Sequence, residues 1–159
     1  MNFELKKEIR KVLCDINFIE RYEHMSDDSR KQVSRSDSKE VEVEQVIDII
    51  NSIGYEVVFD KKEKFFKVGL VENVPKYRIW FNIVLRSGVA EFIWVVYHNN
   101  EVRLGSPWSI YVKLLSPDKR IKPPLYSDEQ DLKKLLKQAM NMYDDFKSAL
   151  IAEYQANLQ

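Results

Sequence analysis

From Tyr77 to Arg86 apolar and polar side chains alternate: Tyr77, Ile79, Phe81, Ile83 and Leu85 fall on one face, and Arg78, Trp80, Asn82, Val84 and Arg86 on the other. This period of two predicts a strand. Ser87-Gly88 suits a tight turn, after which residues 89–97 resume with apolar side chains on both faces, the pattern of a strand covered on both sides. His98-Asn99-Asn100 can host a second hairpin turn, because Asn tolerates positive φ, and Glu101–Leu104 then makes a short last strand. Upstream, residues 55–59 and 65–71 predict two strands joined by the charged turn at 60–63, and Pro75 opens the next. The expected sheet is an antiparallel meander of about five strands.

The flanking segments carry helical periods. Leu5, Ile9, Val12, Leu13, Ile16 and Ile19 recur at that spacing among charged residues, predicting a first helix over 3–22. Residues 24–38 are dominated by Ser, Asp, Arg, Lys and Gln, with Met25 and Val33 the apolar exceptions, which predicts a flexible loop. Ser38 can cap a second helix with Val43, Val46, Ile47, Ile50 and Ile53 on one face, closed by Gly54. Ser106-Pro107 has the form of an N-cap followed by Pro at the first helical position. Trp108, Tyr111, Val112 and Leu115 then lie at helical spacing, although such residues also suit a strand. Residues 116–126, with Pro117, Pro123 and Pro124, form a connector. Ser127-Asp128-Glu129-Gln130 fits a capping box, and Leu132, Leu136, Ala139, Tyr143, Phe146, Leu150 and Tyr154 alternate steps of three and four in a last helix. A helix of about 28 residues spans roughly 42 Å, so its end is expected to overhang, fray or meet a partner, a homodimer among the options. The fold class is a single α+β domain over residues 1–159: two N-terminal helices, the meander, a short helix, and a long C-terminal helix packed on the sheet.

Composition narrows the function classes. With 45% hydrophobic and 31% charged residues the chain is an ordinary globular sequence, and 25 Lys plus Arg balance 25 Asp plus Glu. No global field therefore favours nucleic acid or a charged membrane. The one cysteine, Cys14, can form no intramolecular disulfide, and its place among apolar helix positions predicts a buried thiol in a reducing cytoplasm. The start of the chain lacks the pattern of a signal peptide, and no run approaches the roughly 20 apolar residues that span a bilayer.

Candidate chemistry is sparse. His24 and His98 lack the paired spacing of a zinc site, and Gly54, Gly69, Gly88 and Gly105 stand singly rather than in a phosphate loop. No metal, cofactor or catalytic residue is expected. Asp27-Asp28 and Asp144-Asp145 read as solvated acids. An enzyme would need dispersed groups such as Glu91 and His98 to converge with another acid. Trp94 shares a face with Phe92 and Val96 and is assigned to the core. Trp80 shares its face with Arg78, Asn82 and Arg86, a mixed polar surface that is the leading partner-binding candidate. Asp27 and Asp28 in the predicted loop come second. A different class, small-ligand or nucleic-acid binding, would use Trp108, Tyr111, Lys119 and Arg120 as a basic aromatic surface.

Three segments carry a resemblance: Gly105-Ser106-Pro107-Trp108, Ile121-Lys122-Pro123-Pro124-Leu125-Tyr126-Ser127, and Met142-Tyr143-Asp144-Asp145-Phe146-Lys147. They resemble the C-terminal half of small bacterial α+β proteins of uncharacterised function. The overall layout is similar to that of immunity proteins of polymorphic toxin and contact-dependent inhibition systems. That resemblance implies a cytoplasmic, non-catalytic protein that neutralises a toxin domain by binding it, and it carries over no functional residue.

Overall fold

In a computed structural model, which describes residues 4–33, 40–69 and 76–157, the strands form one five-stranded antiparallel sheet in sequence order. The elements are α1 (Lys7–Asp15), α2 (Phe18–Gln32), α3 (Val43–Ile53), β1 (Val57–Asp60), β2 (Phe65–Val68), β3 (Tyr77–Arg86), β4 (Val89–His98), β5 (Glu101–Leu104), α4 (Trp108–Leu115) and α5 (Glu129–Ala156). This is the α+β meander that the alternation predicts. Ser87 and Gly88 take φ of 50° and 78°, and Asn99 and Asn100 take 51° and 66°, the positive values that a two-residue hairpin turn demands. The first turn sets the whole β3–β4 register, from Arg86 opposite Val89 to Tyr77 opposite His98.

One sheet face is buried under helices. Tyr77, Ile79, Phe81 and Ile83 of β3 join Ala90, Phe92, Trp94 and Val96 of β4 in the core. Helix α5 crosses this face: the Phe146 ring stacks on Trp94 with centroids 4.3 Å apart, and the Tyr143 hydroxyl donates to the Ile79 carbonyl at 2.9 Å. Trp108 of α4 packs edge-on against Phe18 of α2, with centroids 5.3 Å apart. Because aromatic side chains bury the largest areas, this cluster of Phe18, Phe81, Trp94, Trp108 and Phe146 is the centre of the core.

Beyond β5, the outer edge of β4 is covered without another strand. The Tyr111 hydroxyl donates to the Trp94 carbonyl at 2.9 Å and accepts from the Trp94 amide at 3.2 Å. Further along, the Ala90 amide donates to the Pro124 carbonyl at 3.0 Å, and the Tyr126 amide to the Gly88 carbonyl at 2.9 Å. The proline connector thus satisfies backbone groups that would otherwise template pairing with another chain.

Several expectations are corrected. The single helix expected over 3–22 is two helices, separated at Asn17, whose φ of 57° is the left-handed conformation that Asn tolerates. The expected loop at 24–38 is helical as far as Gln32, because α2 grips the connector through polar groups. Ser26 donates to the Lys122 carbonyl, Arg30 donates to the Pro123 carbonyl at 2.8 and 3.0 Å, and the Leu125 amide donates to Ser29 at 3.0 Å. Ser38, the predicted cap, and Val71 and Pro75, predicted for strands, lie outside the described residues. Helix α3 is capped by Glu42 and Gln45 instead, and Gly54 closes it with φ of 104°. Pro107 is itself the N-cap of α4 rather than its first residue, and Asp128 caps α5 by accepting from the Asp131 amide. Cys14 is exposed, since Ile9, Val12 and Leu13 form the buried stripe of α1. The far end of α5 is packed, not overhanging: Leu150 and Tyr154 are buried, and α1 lies against the helix.

Candidate functional site

The sheet's other face is built from the alternate positions. Across the strands, Arg78 lies opposite Tyr97, Trp80 opposite Val95, Asn82 opposite Ile93, Val84 opposite Glu91, and Arg86 opposite Val89. Directly opposed residues project to the same side, so Lys67 and Val58 extend the Asn82 row, and Val102 extends the Arg78 row. The face is more open than its partner. Arg78, Arg86 and Glu91 are exposed, while Trp80, Asn82, Val84, Ile93 and Tyr97 are half-buried. Its flanks hold Val58 and Val102, the two exposed large apolar residues among those described, at 59% and 55% of full exposure. The apolar pattern at 89–97 therefore does not mark a strand covered by helices on both sides; half of it belongs to this surface.

At one end of the face, aromatic rings and cations are assembled. Trp80 and Tyr97 stack with centroids 5.6 Å apart and planes within 9°. The Lys67 ammonium lies over the Trp80 ring at 5.3 Å from its centre, and the Arg78 guanidinium over Tyr97 at 4.6 Å. Such cation–π contacts hold long, entropically costly side chains in place. The Trp80 indole nitrogen and the Asn82 side-chain oxygen are both shielded from solvent and without a hydrogen-bond partner among the described residues. Arg86, at the other end of β3, is exposed and outside this assembly.

Of the residues selected from sequence, Arg78, Trp80 and Asn82 are thus brought together. Asp27 and Asp28 are not: they sit on α2, which packs against α5 on the helical side. Asp28 pairs with Lys134 at 3.3 Å. Sequence reasoning missed Tyr97 and Lys67. The signal for Tyr97 was present, because a two-residue turn at Ser87-Gly88 places residue 97 opposite 78 by counting. Lys67 had no comparable signal, since the β2–β3 connection fixes no register by its length.

The alternative basic aromatic surface is not formed. Trp108 and Tyr111 are buried in the core, and Lys119 pairs with Glu23 at 2.9 Å. Glu91 and His98 are separated by seven residues of β4, roughly 23 Å, so they do not converge. His98 instead stacks on Tyr154 at 4.0 Å. Next to it, Glu8 accepts from Arg103 Nε and Nη2, both at 2.9 Å, and from the Tyr154 hydroxyl at 2.8 Å. Burial raises the Glu8 pKa, but the Arg103 and Tyr154 hydrogen bonds outweigh it and the net direction is downward. This cluster ties α1, β5 and α5 together.

A groove of about 340 Å³ between α2 and α5 is lined by Glu20, Arg21, His24 and Asn141, and Arg21 there is bound to Asp145 at 2.8 Å. No group of three or more His, Cys, Asp or Glu that could hold a metal is found among the described residues, and none of their helices is long and apolar enough to cross a membrane. No protein-family model, curated protein or solved structure matches the chain.

Proposed function

We propose that this chain is a non-catalytic protein-binding module that engages its partner through the open sheet face around Trp80. The observation that carries this reading is the preordered assembly of Trp80, Tyr97, Lys67 and Arg78, flanked by exposed Val58 and Val102. Aromatic and Arg side chains are enriched among the residues that dominate interface energetics: the rings bury large areas with few rotatable bonds, and an Arg already held over a ring has less freedom left to lose. The immunity-type role implied by the sequence resemblance is the particular form we favour: the face would cover a toxin domain's working surface. The test is affinity capture from the native cell extract with wild-type protein and with Trp80→Ser, both checked for folding by circular dichroism. A stoichiometric protein retained by the wild type and lost with the variant is expected, and its toxicity on expression should be relieved by co-expressing the wild-type chain. A partner retained equally by Trp80→Ser would overturn the assignment of this face.

A further inference from the structure

We infer that the partner presents an acidic protein surface to this face, its carboxylates meeting Lys67 and Arg78 and its apolar side chains meeting the exposed Val58 and Val102 on the flanks. This inference rests on the binding-module reading and adds the partner's chemistry. None of the ion pairs among the described residues involves Lys67, Arg78 or Arg86. Lys67 and Arg78 are held by the rings, so a carboxylate meets donors whose ordering cost is already met.

Among the described residues, none of the acids that alternation places on this side, Glu56, Asp60 and Glu91, is ion-paired to Lys67 or Arg78. Asp60 has its carboxylate committed to the β1–β2 turn, accepting from the Lys62 and Glu63 amides at 3.0 and 2.9 Å. Glu91 is six residues along β4 from Tyr97, roughly 20 Å away. The aromatic end of the face therefore carries two cations outside every ion pair among the described residues, although the whole chain is neutral. Burying these cations under a neutral partner would desolvate them without a counter-charge, whereas an acidic partner supplies it.

The same geometry weighs against single-stranded nucleic acid. A base stacks on a free aromatic face. Here each ring has a cation over it and the other ring alongside, nearly parallel, so a base would have to displace interactions already made.

Selection of a random peptide display library against the wild-type protein alone, followed by binding of the selected peptides to Lys67→Glu/Arg78→Glu, tests the inference. Selected peptides should be enriched in Asp and Glu beside Leu, Phe or Trp. They should bind the double variant at least about tenfold more weakly, and bind the wild type more weakly as salt is raised. Lys67→Gln/Arg78→Gln gives the same comparison without charge reversal should the first variant fail to fold. Peptides that lack acidic enrichment but lose binding on Trp80→Ser would overturn the acidic partner while keeping the docking face. Peptides indifferent to all three substitutions would overturn both. A dimer in sedimentation that requires Trp80, or an oligothymidine that binds and is lost with the double variant, would replace the acidic protein by a second copy or by nucleic acid.

Discussion

At the scale of single residues, two positions show what holds the face in place from behind. Glu8 accepts three hydrogen bonds, two from Arg103 and one from Tyr154, and all come from elements distant in sequence. Replacing it with Gln removes the charge and leaves Arg103 without its bidentate partner. The expected cost is about 1–3 kcal/mol in urea denaturation at neutral pH. Because the folded-state pKa lies below the reference of 4.5, the stabilisation is full above that pH. It is lost as pH falls through the folded value, so the gap between wild type and Glu8→Gln should close on acidification. A gap that persists unchanged in acid would mean that packing, not charge, holds the cluster. The second residue is Gly69, with φ of 89° and a position where an added Cβ would lie 2.7 Å from the Tyr143 hydroxyl. That hydroxyl is bound to the Ile79 carbonyl and cannot retreat without breaking the bond. Gly69→Ala should lower stability by about 1–3 kcal/mol in thermal melts, whereas Gly105→Ala, with open space around it, should be close to neutral. Neither role was legible beforehand. In sequence Gly69 lies inside the strand predicted over 65–71, whereas β2 ends at Val68, and its neighbour Tyr143 arrives from a helix far along the chain.

Among the elements, the strands were legible and the helix ends less so, for a physical reason. A strand announces itself by alternation and its partners by turn chemistry, so the meander and the sharing of one face by Arg78, Trp80 and Asn82 follow from the residues alone, whereas which face stays accessible depends on where α5 packs. The split between α1 and α2 leaves only Asn17 as a trace, because the apolar repeat continues across it. The second half of α2 was hidden differently. Ser26, Ser29 and Arg30 bind the backbone of the proline connector, so that stretch of the helix lacks the apolar stripe that periodicity detects. The same dependence of one element on another's backbone appears at Tyr111, whose hydroxyl serves both the amide and carbonyl of Trp94. Tyr111→Phe keeps the ring and strands both groups in a site from which water is excluded. Hydrogen exchange at the Trp94 amide should accelerate, and stability should fall by about 1–3 kcal/mol. An unchanged exchange rate would show that this edge of β4 does not depend on α4.

For the molecule as a whole, the sheet has one face devoted to folding and one left accessible, and the first and last helices meet on the folding side. Helix α1 packs on α5, with Glu8 bonded to Tyr154 and Lys11 paired to Glu153 at 3.1 Å. The long terminal helix looked in sequence like an overhang because its length exceeds what a sheet of this size needs. The packing of α1 along it, which a linear reading does not reveal, is what uses that length. The apolar stripe of α5 is consequently occupied within the chain. The terminal segment should therefore behave as part of the core and not as a tail. Ending the chain at Ala149 removes buried Leu150 and Tyr154, each contributing about 1.5–3 kcal/mol through burial, and leaves Glu8 with one partner fewer. The sum is a large fraction of the roughly 5–15 kcal/mol that holds a domain folded. The truncated protein should melt far below the full chain or fail to fold, and added α1 peptide should not rescue it, since α1 is already present and has lost its surface. If instead the truncated chain melts with unchanged cooperativity and midpoint, α1 and α5 are not coupled, and the end of α5 is free to serve as a second interface.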